Sequence, residues 1–363
     1  MTRTGFFFDA RFIRVDHHDG ISRFSVGLLT ALLQRTEVTA IICDLRQLSK
    51  LPKGTKYLLV NEPTSASEIF LGGKLNKAGA RVVFSPMQTM GAFGRRFRLI
   101  LTLHDLIYYR HPAPPPALSL PIRVAWRLFH LTFWPQRWML NRADAVVTVS
   151  NTTKRLMLEA RLTRRPISVV YNSAGSLSEY YEHRAPESRP RQRQKLVYMG
   201  SFMGYKNVET LIGGMSWLPD HELHLLSKID PNRRQLLEAM IPSGATVVFH
   251  NGVSEAKYHE ELDSAVALVT ASLDEGFGIP LVESMSRGIP VVVSDIEIFK
   301  EIGDGAALFF DPLSPKSFAD AVQKLASNPA WLEVSKASLR VAERFNWDRS
   351  AAELLSLVDE LGA

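Results

Sequence analysis

Two glutamates that lie eight positions apart, Glu275 and Glu283, flank a glycine-rich segment suited to binding an anion or a sugar. The segment reads Gly276-Phe277-Gly278-Ile279-Pro280; a predicted strand ends before it near Thr270, and a predicted helix begins near Pro280. Glycines let the backbone approach a ligand closely, and the unpaired N–H groups at a helix start attract anions and hydroxyl groups. The same pattern also fits an ordinary strand–turn–helix connection with Glu283 on a solvated face.

A second turn at the end of a predicted strand carries a candidate cation. The strand residues Val197-Tyr198-Met199 lead into Gly200-Ser201, and Lys206 follows just before a predicted helix. A lysine in this position could neutralise a diphosphate as a point charge. The alternative is a surface lysine, although a helix start is a poor place for a cation because of the helix dipole.

His104 follows an apolar run, residues 99–103, that reads as a strand and would hold the imidazole rigidly. Asp105 could orient the ring or cap the next turn, and a hydrogen-bonded structural histidine fits the same pattern.

Upstream, Asp16-His17-His18-Asp19 contains four side chains of metal-ligand type. Because neighbouring side chains of an extended loop point in opposite directions, we interpret it as a polar loop that leads to Gly20.

Composition bounds the class of protein. The 363 residues fit two domains, and the hydrophobic content of 46% excludes a disordered chain. The single cysteine, Cys43, excludes a disulfide framework and a cysteine-based zinc site. Because the sequence also shows no secretory pattern and no apolar run of about 18 residues, we expect a cytoplasmic protein.

The net charge of +6 conceals two opposite halves. Residues 1–180 carry 25 Lys and Arg against 11 Asp and Glu, a balance of +14, whereas residues 181–363 carry 18 against 26, a balance of −8. The first half therefore favours an anionic partner.

Within the first half, residues 121–142 contain three tryptophans and four arginines. This segment fits either a surface that rests on anionic lipid or a helix pair whose aromatic side chains pack on the sheet.

Short apolar runs alternate with amphipathic segments, which predicts two α/β domains with mostly parallel sheets. The polar stretch 180–195 is the predicted linker. The predicted strands are 6–9, 38–44, 57–60, 81–84, 99–103, 145–150, 195–199, 221–226, 246–249, 265–270 and 290–294, and the predicted helices are 21–34, 281–287 and 315–326.

Taken in order, these motifs resemble the retaining glycosyltransferases of family four, which have the GT-B fold. The resemblance rests on Glu275 and Glu283 within Glu-Gly-Phe-Gly-Ile-Pro-Leu-Val-Glu. It implies an α/β protein with two doubly wound, Rossmann-like domains facing each other across a cleft: an acceptor-side domain, 1–180, and a nucleotide-sugar domain, 181–345. A C-terminal helix in 346–363 would return to the first domain. Further matching segments are 19–24, 101–106, 143–150, 169–172 and 249–254.

The resemblance also implies roles for individual residues. Glu283 would bind the ribose hydroxyls, Glu275 the hydroxyls of the transferred sugar, and Lys206 the diphosphate. His104 would reach the donor sugar, so His104, Lys206 and Glu275 form the expected catalytic set. The remaining donor contacts would come from the cradle Gly276, Phe277, Gly278 and Ile279, from Gly200 and Ser201 near the diphosphate, from Gly252 and Val253 at the base, and from Gly20, which lets the first domain close over the phosphates.

Breaking a sugar–phosphate bond leaves negative charge on the diphosphate, which a lysine and a helix N-terminus can stabilise without a metal. The sequence contains no Asp-x-Asp motif suited to Mg²⁺, so neither a metal nor another cofactor is expected. One departure from the family pattern is the lack of an arginine at Ser201 or Tyr205. Lys206 would then act alone, or with Arg23 or Lys228.

The expected function is transfer of mannose from GDP-mannose, with retention, to an anionic lipid, a lipid-linked saccharide or a glycan. A UDP-sugar donor, a catalytically impaired nucleotide-sugar-binding protein and a sugar-nucleotide epimerase stay open. Nucleic acid is not an expected partner, since the basic half lacks a recognition motif. A nicotinamide enzyme is disfavoured because no Gly-x-Gly-x-x-Gly follows the first strand. The basic half predicts peripheral contact with the cytoplasmic face of an anionic membrane.

Overall fold

The computed structural model describes residues 5–15, 20–114, 119–175, 188 and 194–362. The chain divides into two compact units, the first comprising Met1–Ser176 and Asn346–Ala363 and the second Leu177–Phe345. The polar loop 16–19 and, apart from Ser188, the predicted linker up to residue 193 lie outside the described residues. The last two residues of that linker, Gln194 and Lys195, instead begin the first strand of the second unit.

The sheet of the first unit has seven parallel strands in the described part of the chain. Three consecutive phenylalanines of its first strand are buried because helices cover both faces of a parallel sheet. The strands are β1 (Phe6–Asp9), β2 (Thr39–Ile42), β3 (Tyr57–Leu59), β4 (Val82–Ser85), β5 (Arg98–Leu103), β6 (Ala145–Thr148) and β7 (Ile167–Val169).

The spatial order β3-β2-β1-β4-β5-β6-β7 changes direction between β1 and β4. Ligands of open α/β sheets bind beyond the carboxyl ends of the strands at such a switch point. The helices that connect these strands are α1 (Gly20–Leu33), α2 (Leu71–Lys77), α3 (Ile107–Arg110), α4 (Leu120–His130), α5 (Trp134–Leu140) and α6 (Asn151–Glu159).

The second unit repeats this plan with a six-stranded parallel sheet in its described residues. The predicted α/β class with two doubly wound sheets is therefore confirmed. The strands are β8 (Gln194–Tyr198), β9 (His221–Leu225), β10 (Thr246–Phe249), β11 (Ala267–Thr270), β12 (Val291–Ser294) and β13 (Leu308–Phe310). The helices are α7 (Val208–Gly214), α8 (Pro231–Glu238), α9 (Glu255–Asp263), α10 (Ile279–Ser286), α11 (Glu297–Gly303), α12 (Pro315–Gln323) and α13 (Asn328–Ala342).

The last helix, α14 (Trp347–Glu360), belongs to the first unit. Asn346 caps it by accepting a hydrogen bond from the Arg349 backbone N–H at 2.9 Å. The Trp347 indole lies against α1 at Gly27, where a Cβ would stand only 2.2 Å from the ring. A glycine is therefore required at this crossing.

The exposure of the tryptophans in helix α5 contradicts one of the two interpretations of residues 121–142, the packing of aromatic side chains on the sheet. Trp134 and Trp138 are 68% and 53% exposed, so packing of these aromatic side chains on the sheet is wrong. Trp126 of α4 is half-buried and makes an edge-on contact with Tyr108, with ring centroids 4.7 Å apart.

Candidate functional site

The second sheet brings two predicted site loops together at its switch point. Its order is β10-β9-β8-β11-β12-β13, so the direction changes between β8 and β11. Lys206 lies in the loop after β8, and Glu275 lies in the loop after β11. Because parallel neighbours end at the same edge of the sheet, residues far apart in sequence become neighbours there.

Lys206 and Glu275 form an ion pair, with Lys206 Nζ 2.5 Å from Glu275 Oε1. The same carboxylate oxygen accepts a hydrogen bond from Ser272 Oγ at 2.8 Å. Both charged side chains are only 14% exposed. The Leu273 backbone N–H also donates to the Tyr205 carbonyl at 2.7 Å, which ties the two loops together. The site therefore holds a cation and a carboxylate in fixed positions.

The backbone of the Lys206 loop is shaped by Asn207. A short 3₁₀ turn, Gly204–Lys206, ends at Asn207, whose φ of 50° lies in the left-handed region that asparagine tolerates. Asn207 Nδ2 donates to the Pro312 carbonyl at 2.7 Å, and Thr210 Oγ1 donates to the same carbonyl at 2.9 Å. These bonds fix the point from which Lys206 projects.

The glycine-rich segment forms a tight turn into helix α10. Gly278 has a φ of +97°, and a Cβ there would stand 3.0 Å from the Phe299 ring. Phe277 is buried and packs edge-on against Phe345 with centroids 5.7 Å apart. Gly276 is buried as well, and Ile279 begins the helix. The turn is thus anchored by Phe277, and the first N–H groups of α10 lack partners within the helix.

Glu283 lies on the interior side of α10. Its residue is 9% exposed, and its Oε2 accepts a hydrogen bond from Tyr258 Oη at 2.8 Å. Tyr258 comes from α9 and is itself 1% exposed. The alternative that placed Glu283 on a solvated face is therefore wrong.

The turn at Gly200 and Ser201 is held by a buried tyrosine. Tyr198 Oη donates to the Ser201 carbonyl at 2.6 Å. Burial and the negative charge of Glu275 raise the pKa of Tyr198 well above its ordinary value, so this hydroxyl keeps its proton. A Cβ at Gly200 would stand 2.8 Å from Tyr198 Oη, so the turn needs glycine there, and the Ser201 residue is exposed.

Arg233 is the cation that the sequence interpretation missed at this turn. Its Nε donates to the Phe202 carbonyl at 3.2 Å, and its guanidinium is 2.5 Å from Glu209. Arg233 lies in the first turn of α8, after the neighbouring strand β9, and no local motif marks it. The structure therefore supplies a positive charge beside the turn that lacks the family arginine.

The turn at Gly252 and Val253 follows the outer strand β10. Gly252 has a φ of +100°, and its N–H donates to the Leu226 carbonyl at 3.0 Å. The Lys228 side chain covers it, since a Cβ on Gly252 would stand 2.7 Å from Lys228 Cγ. Lys228, one of the two proposed compensating cations, therefore packs along this turn.

In the first unit, His104 is held at the end of β5. Its Nε2 lies 2.8 Å from the Pro86 carbonyl oxygen, so Nε2 is the nitrogen that carries a proton. The ring also meets Phe24 of α1 edge-on at 5.2 Å. Asp105 accepts from the Ile107 backbone N–H at 3.0 Å, which makes it a cap of the next turn. Gly20 begins α1 and is exposed.

One group of potential metal ligands stands outside these loops. Ligand atoms of His224, His250 and Glu261 lie within 4.8 Å of one another. Glu261 is already paired with Lys195 at 2.5 Å and with Lys257 at 3.0 Å. Burial would raise the pKa of Glu261, but these lysines lower it to about 2. Two ammonium groups on the one carboxylate oppose a bound cation, so we interpret this group as a structural network.

None of the helices in the described part of the chain combines the length and the apolar character needed to cross a bilayer.

Comparisons with known proteins agree with this arrangement. The family described as Glycosyl transferases group 1 matches residues 180–343, and the family described as Glycosyltransferase Family 4 matches residues 75–174. A curated relative, the O-antigen chain mannosyltransferase RfbU of Salmonella typhimurium, is 26% identical over 321 residues, which are 85% of this chain and 88% of the relative.

Solved structures share the fold over almost the whole chain. Sucrose-phosphate synthase from Thermosynechococcus elongatus superposes with a TM-score of 0.71 at 18% identity, covering 99% of both chains. Anabaena HepE in complex with UDP and glucose superposes with a TM-score of 0.69 at 14% identity, covering 98% of this chain and 100% of HepE. The two family matches divide the chain as its two sheets do, and the chain belongs to the GT-B glycosyltransferases of family four.

Proposed function

We propose that this glycosyltransferase transfers mannose from GDP-mannose, with retention and without a metal, to a lipid-linked saccharide or other glycan acceptor. The observation that carries the proposal is the Lys206–Glu275 ion pair at the switch point of the second sheet, beside the turn into α10. It offers one group for the leaving diphosphate and one for the sugar hydroxyls.

The chemistry follows from where charge develops. As the sugar–phosphate bond breaks, positive charge grows on the sugar and negative charge grows on the diphosphate. Lys206 and the N–H groups at the start of α10 can stabilise the second charge, because both are fixed before the reaction. Glu275 can bind the sugar hydroxyls, and Glu283, oriented by Tyr258, can accept from the ribose hydroxyls. Retention rests on the family resemblance.

Metal independence is supported by the presence of these cationic groups at the diphosphate loops. Lys206 lies in the loop after β8, and Arg233 contacts that loop from α8 through the Phe202 carbonyl. We expect turnover to be unchanged after treatment with EDTA. A loss of turnover that Mg²⁺ restores would refute this part of the proposal.

The choice of donor is supported by the name of RfbU, a mannosyltransferase. The complex of HepE with UDP and glucose favours the alternative, a UDP-sugar. A thermal-shift screen of GDP-mannose, UDP-glucose and ADP-glucose separates them, since a bound donor raises the melting temperature. Stabilisation by GDP-mannose alone supports the proposal, and stabilisation by UDP-glucose alone refutes the GDP assignment.

Peripheral contact with the cytoplasmic face of an anionic membrane is supported by the surface of α4 and α5. No described residue of α4 is buried, and its Leu120 and Leu128 are 73% and 63% exposed. Trp134 and Trp138 of the following helix, α5, are exposed as well. Seven arginines lie on these helices or after them in the chain, and five of the seven line one groove with Trp134 and Trp138. Apolar and aromatic side chains combined with cations suit anionic lipid headgroups. The arginines are Arg123, Arg127, Arg137, Arg142, Arg161, Arg164 and Arg165.

A catalytically impaired nucleotide-sugar-binding protein is the second candidate, and Ser201 and Tyr205 favour it. Donor binding without transfer to any glycan acceptor would support it. Release of GDP that depends on an added glycan would exclude it, and sugar release without an acceptor would point to an epimerase.

A further inference from the structure

We propose that the first unit holds a subsite for a neutral sugar ring of the acceptor, in an aromatic cavity beside His104. The inference rests on the proposed function, for which it names the chemistry of the acceptor. The described residues that line the cavity all belong to the first unit.

The cavity is large enough for a small carbohydrate. Its volume is about 540 Å³, within the roughly 300–1,000 Å³ of typical small-molecule sites. His104 and Asp105 contribute to its wall, together with residues of α3, α4 and α5. The site therefore borders the residue that the family resemblance places at the donor sugar.

Part of the wall consists of aromatic rings that contact one another. Trp126 contacts His130 and Tyr108, with ring centroids 4.5 Å and 4.7 Å away. Tyr109 contacts His130 at 5.0 Å, and Phe129 completes the set. Such rings lose little conformational freedom on binding and pack well against the C–H faces of a sugar ring.

Three polar atoms of the wall have no hydrogen-bond partner in the structure. They are Tyr109 Oη, Trp126 Nε1 and Gln136 Nε2. Gln136 is only 1% exposed, and burial raises the pKa of Tyr109 to about 12, so all three groups carry protons to donate. A buried donor without a partner is costly, which indicates that a ligand or water completes it. All three atoms are buried, so a sugar hydroxyl reaches them only if a neighbouring group moves aside.

The charge of the wall selects among ligands. The described residues that line the cavity include no lysine or arginine, and the one carboxylate, Asp105, caps the next turn. A phosphate would therefore meet no cation here. An alkyl chain would leave the three donors unpaired. A neutral, hydroxyl-rich ring provides apolar faces for the aromatic wall and oxygen atoms for the donors.

The test uses the full chain, α-1,3-mannobiose as the probe, and calorimetry without a donor. Tyr109→Phe and Gln136→Met each remove one unpaired donor while keeping the size of the side chain. Each variant is expected to weaken mannobiose binding by about 2- to 10-fold and to leave GDP binding unchanged. Tyr57→Phe is the matched control, because Tyr57 is 48% exposed on β3 at the other end of the sheet.

Thermal stability provides a second readout. Removal of a hydroxyl without a partner should leave the melting temperature of Tyr109→Phe unchanged or raise it. A lowered melting temperature with unchanged mannobiose affinity would show that the hydroxyl is structural and would overturn the proposal. So would a wild-type protein that binds n-octanol in the cavity but no mannobiose.

The two proposals fail in different ways. Transfer from GDP-mannose with normal mannobiose binding in both variants overturns the subsite and leaves the proposed function in place. Loss of mannobiose binding in the variants of a protein that binds no nucleotide sugar supports the subsite and refutes the proposed function.

Discussion

Replacement of Glu275 by glutamine is expected to tighten the binding of GDP while it slows the transfer of sugar. In the structure, the Glu275 carboxylate lies 2.5 Å from Lys206 Nζ, so a diphosphate must compete with it for the lysine. Glutamine keeps the size of the side chain and its contact with Ser272 but removes the negative charge. Lys206 then becomes available to the diphosphate, whereas the sugar loses its carboxylate partner.

The size of the effect follows from the strength of such bonds. A hydrogen bond to a charged group contributes about 1.5–3 kcal/mol, and tenfold in affinity corresponds to about 1.4 kcal/mol. Both side chains are 14% exposed, so water screens the pair only in part. We therefore expect at least about tenfold tighter GDP binding for Glu275→Gln. Lys206→Met should instead weaken GDP binding and lower turnover by about 10²–10³-fold.

Calorimetry with GDP isolates the diphosphate contact, because GDP has no sugar for Glu275 to bind. Turnover is followed separately by GDP release from the donor sugar. Glu238→Gln is the control, since Glu238 forms an exposed ion pair with Arg234 on α8. The reasoning is refuted if Glu275→Gln is folded and binds GDP no more tightly than the wild type, or if Lys206→Met binds GDP normally.

Three further predictions address other parts of the chain. Glu283→Ala should weaken donor binding more than it lowers the maximal turnover rate, and an unchanged donor dissociation constant would contradict its ribose role. The pKa of Glu261, about 2 against an ordinary 4.5, means that its stabilisation is present above pH 4.5 and is lost as the pH falls toward 2. Glu261→Gln should therefore lower the free energy of unfolding at pH 7 by about 3 kcal/mol and by much less near pH 2, as measured by urea denaturation. Trp134→Ala should reduce binding to anionic vesicles at low salt. Trp217→Ala, the control, removes a tryptophan that is 43% exposed on the other unit and should leave vesicle binding unchanged. Equal binding of both variants would contradict the proposed contact of α5 with the membrane.

The architecture was largely accessible from the sequence because its signal is local. Apolar runs such as residues 6–9 and 246–249 coincide with β1 and β10, since strands of parallel sheets are rich in apolar residues. The strands β7 and β13 were not predicted from the sequence. The polar helix α9 was not predicted either, since its buried positions, Tyr258, Glu261 and Leu262, include a charged residue that pairs with the distant Lys195.

The contacts of the candidate site were less accessible, because they depend on the order of the strands. Lys206 and Glu275 are 69 positions apart and meet only because β8 and β11 are neighbours in the sheet. Tyr258 and Glu283 meet across two helices 25 positions apart. Arg233 contacts the turn after β8 from α8, and no sequence motif around Arg233 or around Phe202 predicts that contact. Residue types at the site were thus predictable, whereas the partners were not.

The acidic character of the second half of the chain affects how the cations of the candidate site can bind an anionic donor. Residues 181–363 carry a balance of −8, yet they contain the motifs that should hold an anionic donor. The structure pairs both cations at the turn after β8 with glutamates, Lys206 with Glu275 and Arg233 with Glu209. A diphosphate arriving there must exchange places with a carboxylate rather than meet an unpaired charge. Donor affinity should therefore be set by how firmly the glutamates hold the cations, and a substitution at either glutamate should change it more than an added surface lysine does.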